Sequence, residues 1–189
     1  MSQVAIFQSL LQLFSSIESC IERKVQLPTL ILIYAGIDSI AWLGADEASA
    51  PVGTRFMTWV DRYLLPSKPL PCTSADLYSA RCGILHTFTA DSGMISKGRA
   101  KHLSYAWGTA KAVELQRMLD RTSPGLCSVV HIADLAEGLR VGTAKMFAEA
   151  DQDSMLAQRL VSRGSRYFVG MNPDFTPGSL ASGFNSLAT

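Results

Sequence analysis

The sequence predicts a mainly α-helical protein, a helical bundle with a small β element in its C-terminal half. Apolar residues recur at helical spacing through residues 3–90. One of those segments, 28–43, is apolar on nearly every side, as a bundle's central helix must be. Only two short runs, near 103–107 and 127–132, have the pattern of strands.

The first helix, over 3–21, sets Val4, Phe7, Leu10, Leu11, Phe14, Ile17 and Ile21 on one face and Gln3, Gln8, Gln12, Ser15, Ser19 and Glu22 on the other. Pro28 suits the first turn of the second, which runs to Leu43. Residues 44–53, with Gly44, Pro51 and Gly53, read as a loop. A third helix follows with Phe56, Trp59, Val60, Tyr63 and Leu64 at the same spacing, and Pro66, Pro69 and Pro71 then break the chain.

Thr73 and Asp76 have the spacing of a capping box, so a fourth helix starts there and ends near Thr89. "SGMISKGRAKH" is a basic, glycine-punctuated loop. Leu103, Tyr105 and Trp107 alternate with Ser104 and Ala106 as a short strand, and "CSVVHI" at 127–132 is the second. Between them 109–120 reads as a helix. Asp134 and Glu137 begin another, with Leu135, Leu139, Met146 and Phe147 inward, and Met155, Leu156 and Leu160 mark a last one. Residues 1–172 form one domain, and 173–189, rich in Gly, Ser and Pro, form a flexible tail.

Composition limits function. The chain has 189 residues, 48% of them hydrophobic and 17% charged, which suits a globular domain with a real core. Seventeen Lys plus Arg against sixteen Asp plus Glu give a net charge of +1, so any nucleic-acid surface is local. Cys20, Cys72, Cys82 and Cys127 lack both metal-ligand spacing and a disulfide pattern, so no metal or cofactor is expected. With no Lys or Arg before Arg23 the N-terminus lacks a signal peptide's charged region, and the expected compartment is the reducing cytoplasm. Residues 27–45 are nearly long and apolar enough to span a bilayer. Pro28 and the mid-segment Asp38 argue for a buried helix instead, with no membrane contact.

Chemistry concentrates in "DLYSARCGILHTFT" at 76–89, where a helix with Leu77, Ile84 and Phe88 on its apolar stripe also carries Arg81 and His86. Five residues on an ideal helix separate the two by about 7.5 Å and 140°, a gap that arginine's flexible stem or a bend at Gly83 can close. "LYSARCGILHTFT" after "LILIYAGIDSIAWL" resembles the HEPN superfamily, whose members carry an Arg-x(4–6)-His motif in a helical bundle. The likeness covers roughly residues 3 to 90 and is best around the motif.

The resemblance implies a metal-independent endoribonuclease with Arg81 and His86 as catalytic residues. It implies a homodimer that brings two copies into one cleft, and a toxin, stress or antiphage-defence role with an antitoxin or defence partner. The implied chemistry is attack of a ribose 2′-hydroxyl on the adjacent phosphorus, leaving a cyclic phosphate. The residue types suit it, since histidine moves protons near neutrality and a guanidinium stabilises charge gathering on phosphoryl oxygens.

Two positions depart from the motif: Cys82 stands where a polar residue often follows the arginine, and Phe88 where some toxin-type members have a tyrosine. The alternative reading is therefore a non-catalytic HEPN-fold module that binds RNA or a protein.

Simpler roles compete at each position. Asp38, the one charge of the central helix, is the natural partner for Arg81, with Tyr34 one turn earlier on the same face. Cys82 and His86, four apart, share a helix face and raise a Cys–His nucleophile as a rival. Lys97, Arg99 and Lys101 either steer an RNA backbone or form a solvated loop. His131 reads as a satisfied core residue, His102 as part of the basic loop, and Tyr105 and Trp107 as core rather than base-stacking side chains.

Overall fold

A computed structural model describes residues 2–89 and 92–165; the tail expected from 173 lies outside them, as does the end of the expected domain. The fold is mainly helical with one two-stranded parallel sheet in the C-terminal half. Helix α1 (Ser2–Glu22) buries Leu10, Phe14 and Ile17. It ends at Lys24, φ 58°, where Val25 N–H reaches back to Cys20 O and Lys24 N–H to Ile21 O, a Schellman closure built on a lysine.

Helix α2 (Gln26–Gly44) is the centre, with Ile33, Tyr34, Ile37, Ile40 and Leu43 all inaccessible to solvent. Among the described residues it is the one helix long and apolar enough to cross a membrane, and half of that segment is packed inside the protein.

Helix α3 (Val52–Trp59) starts two residues earlier than the loop reading placed it and does not end at the prolines. It continues through a π-helical turn, Val60–Leu64, into α4 (Leu65–Ser67), which contains Pro66. Pro66 has no N–H to offer the preceding turn and its ring crowds the carbonyl four residues back, so the helix widens just upstream instead of breaking. The widened turn meets helix α7 (Ile132–Ala150) at a glycine. A Cβ on Gly142 would lie 3.1 Å from the Tyr63 carbonyl carbon.

Helix α5 (Ser74–Thr87) has the capping box the sequence predicts: the Thr73 hydroxyl accepts from Asp76 N–H while the Asp76 carboxylate accepts from Thr73 N–H. Strands β1 (His102–Ala106) and β2 (Cys127–His131) pair in parallel, His102 opposite Cys127 through Ala106 opposite His131. Helix α6 (Ala112–Thr122) connects them with no fully buried residue. The outer edge of β2 is closed by one side chain, for the Gln116 amide donates to Cys127 O and accepts from Val129 N–H.

His131 corrects the core reading. It is half-buried and caps α7, its Nδ1 accepting from Ala133 N–H while Nε2 donates to Gly108 O. The helix consequently starts at Ile132, before the two acidic residues that suggested its beginning. Helix α8 (Ser154–Gly164), capped by Asp153, packs Leu156 and Leu160 into the same core.

Candidate active site

Arg81 and His86 meet without a break in α5. The helix is continuous from Ser74 to Thr87, and the arginine stem spans the gap, placing Nη1 3.0 Å from His86 Nε2. A guanidinium only donates, so Nε2 is the acceptor and the ring proton sits on Nδ1. In this arrangement the Nε2 lone pair is turned onto the arginine.

Asp38 holds the other side of Arg81. Nε donates to Oδ2 at 2.7 Å and Nη2 to the same oxygen at 2.6 Å, with the arginine side chain 14% and the aspartate side chain 20% exposed. Burial alone would lower the Arg81 pKa, but the Asp38 carboxylate outweighs it and raises it above the ordinary value. Arg81 thus carries its charge at any working pH. Asp38 Oδ1 is buried with no hydrogen-bond partner.

Tyr78 belongs to this cluster and was not singled out from the sequence. Its ring centroid lies 6.0 Å from the Arg81 guanidinium carbon, and it packs against Phe56 on α3. Burial raises its pKa, with the neighbouring Cys82 contributing next. Tyr78, Arg81 and Cys82 are three and four residues apart, so helical spacing was the signal that could have found it.

Helix α5 ends directly beyond the pair. The Gly83 carbonyl accepts from the Thr87 hydroxyl, Phe88 N–H and Thr89 N–H. Phe88 takes a left-handed φ of 54° and is 66% exposed, leaving the stripe on which its spacing placed it. His86 is exposed beside it.

Three expectations fare differently. Tyr34 does not support Arg81: it is fully buried, its hydroxyl 2.6 Å from that of Tyr105 and its ring stacked on Phe56. Burial first, and Tyr105 second, push its pKa well up, so it stays protonated. Cys82 lies by Tyr78 and Arg81, while His86 Nε2 is taken by the arginine, so the Cys–His nucleophile has no hydrogen bond to rest on.

Lys97, Arg99 and Lys101 are exposed, but their loop returns along α5 away from His86. The Ser92 hydroxyl bonds to that of Ser79, and Lys101 N–H donates to Asp76 Oδ1 at 2.6 Å. Asp76 and His86 are ten residues apart, about 15 Å along the helix axis. The basic residues therefore do not join the Arg81–His86 cluster, although both border the same helix.

No group of three or more His, Cys, Asp or Glu side chains with metal-binding geometry occurs among the described residues. In comparisons with known proteins, no family model matches the chain, and no significantly similar curated protein or solved structure was found.

Proposed function

We propose that this protein is a HEPN-type, metal-independent endoribonuclease, acting in the cytoplasm as a homodimer whose two Arg81–His86 pairs share one cleft. The observation that supports this reading is the Asp38–Arg81–His86 chain of hydrogen bonds, which couples a permanent cation to an imidazole at an exposed helix end.

In the proposed reaction a phosphate of the RNA claims the Arg81 Nη1 proton now given to His86, which frees the Nε2 lone pair. That nitrogen takes the proton of the ribose 2′-hydroxyl as its oxygen attacks the adjacent phosphorus. The bond to the 5′-oxygen breaks, and the imidazolium of the second copy protonates the leaving oxygen. The arginines hold the charge that gathers on the two non-bridging oxygens. A 2′,3′-cyclic phosphate and a 5′-hydroxyl result. Lys97, Arg99 and Lys101 extend the site along α5 for the RNA backbone, and Phe88 offers an apolar surface for the second copy. An antitoxin or defence protein is the expected partner.

The test is cleavage of single-stranded RNA in EDTA, with cyclic-phosphate termini as product and none from His86→Ala protein that keeps its circular-dichroism spectrum. Unchanged cutting by that variant overturns the reading. A second reading, a non-catalytic module binding RNA or protein, is favoured by the resting His86 lone pair being occupied and by Cys82 beside the arginine. Salt-sensitive RNA binding without turnover would select it.

A further inference from the structure

A cavity of about 250 Å³ opens between the C-terminal end of α2, the 45–51 loop and the α3–π segment, and none of the Asp38, Arg81, Cys82 or His86 side chains lines it. Its apolar surface comes from Ala41, Gly44 and Ala45 and from the rings of Trp59 and Tyr63. The volume sits just under the roughly 300–1,000 Å³ of typical small-molecule sites, which points to a small occupant.

Arginines hold its walls in place. Arg163 donates to the carbonyls of Trp42, Leu43 and Ala45, Arg159 pairs with Asp46, and Arg55 Nη1 donates to Ala48 O at 2.6 Å and Ala50 O at 2.5 Å. The loop is thereby shaped before any ligand arrives.

Charge at the mouth does not cancel pairwise. Arg62 pairs with Glu149 and Asp46 with Arg159. Arg55 meets only those two carbonyl oxygens, and the exposed Glu47 carboxylate has no cationic partner among the described residues. One cation and one anion thus stand uncompensated on the same rim. Beside them the exposed Thr54 and Thr58 border the same opening, and Trp59, a lining residue only 3% exposed, has its indole N–H buried without a hydrogen-bond partner.

A dipolar ligand with an apolar body matches all of this. We propose that the cavity binds a free α-amino acid with an uncharged, apolar side chain, its carboxylate on Arg55, its ammonium on Glu47 and its side chain over Ala41, Ala45 and the Trp59 ring. A plain carboxylate would leave Glu47 unmatched and a plain amine Arg55. This site stands apart from the ribonuclease reading and does not rest on it.

The experiment is calorimetric titration of the full chain with each common amino acid, and with acid and amine analogues that lack one of the two charged groups. Binding is expected at micromolar to millimolar concentration for aliphatic or aromatic amino acids and to be lost for both analogues. Glu47→Gln alters an exposed side chain that supports nothing else and should weaken binding roughly tenfold or more. Thr58→Leu, which fills the cavity without touching a charge, should abolish it; this second variant covers the event that Arg55→Gln releases the loop. Absence of binding by any amino acid, equal binding of an analogue, selective uptake of aspartate or lysine, or indifference to both Glu47→Gln and Thr58→Leu overturns the proposal.

Discussion

Asp38 and Arg81, 43 residues apart, meet through two hydrogen bonds that converge on a single carboxylate oxygen, Oδ2, while Oδ1 is buried without a partner. The pair fixes the direction of the guanidinium, since Nε and Nη2 are committed to α2 and only Nη1 is left for His86. Removing the carboxylate strands a mostly buried cation. Asp38→Ala should lower unfolding stability by roughly 2–3 kcal/mol in urea titration and, under the proposed ribonuclease reading, reduce cleavage even at temperatures where the fold is intact. An unchanged melting temperature together with unchanged activity would remove Asp38 from the site.

How far this site was legible depends on distance in sequence. The capping box at Thr73 and Asp76, the amphipathic spacing of α1 and the apolar, central character of α2 are local or periodic features, and each was readable, although only half of α2 is packed inside the protein. Asp38 was identifiable as the partner of Arg81 because a lone charge on a central helix must find an opposite one, wherever it lies in the chain. The role of Tyr34 was not readable by the same logic. A tyrosine one turn from Asp38 has two plausible partners, and only the docking of β1 decides that its hydroxyl goes to Tyr105. The π turn before Pro66 and the Gln116 latch also depend on tertiary neighbours, Gly142 in one case and the β2 backbone in the other. The cavity residues Arg55 and Glu47 carry no signal in spacing, since their significance is the lack of charged partners.

Gln116 closes a sheet edge that would otherwise present Val129 N–H and Cys127 C=O to another chain. Gln116→Ala should cost roughly 1–2 kcal/mol, as two hydrogen bonds to strand backbone are lost, and should promote concentration-dependent association through the opened edge. Light scattering across a dilution series reads the association directly. A variant as stable and as monodisperse as the parent would show that water satisfies the edge equally well.

The Asp153 cap of α8 gives a pH dependence with a definite sign. The carboxylate accepts from Met155 and Leu156 N–H, and the Leu156 bond, ahead of the Met155 bond, holds its pKa below the ordinary aspartate value. A depressed folded-state pKa contributes stability that is fully present above the unfolded pKa and is lost as pH falls through the folded one. Asp153→Asn, which keeps a capping oxygen without a titrating group, should leave stability at neutral pH nearly unchanged and flatten part of the acid limb. Identical acid limbs in parent and variant would contradict the assignment.

Tyr34 and Tyr105 offer the most discriminating stability test, because their hydroxyls satisfy each other at 2.6 Å inside the core. Burial raises both pKa values, so both are neutral phenols and the contact is one ordinary hydrogen bond. Tyr34→Phe should then cost roughly 1–3 kcal/mol, since it leaves the Tyr105 hydroxyl buried and unsatisfied, and Tyr105→Phe should do the same to Tyr34. The double variant removes both polar groups and should be less destabilised than the sum of the singles, a coupling that a double-mutant cycle in urea measures. Because Tyr34 faces Tyr105 and not Arg81, Tyr34→Phe should also keep the proposed RNA cleavage per folded molecule. Strict additivity would show that the two hydroxyls act independently, and a selective loss of cleavage in stably folded Tyr34→Phe protein would restore the tyrosine to the Arg81 cluster.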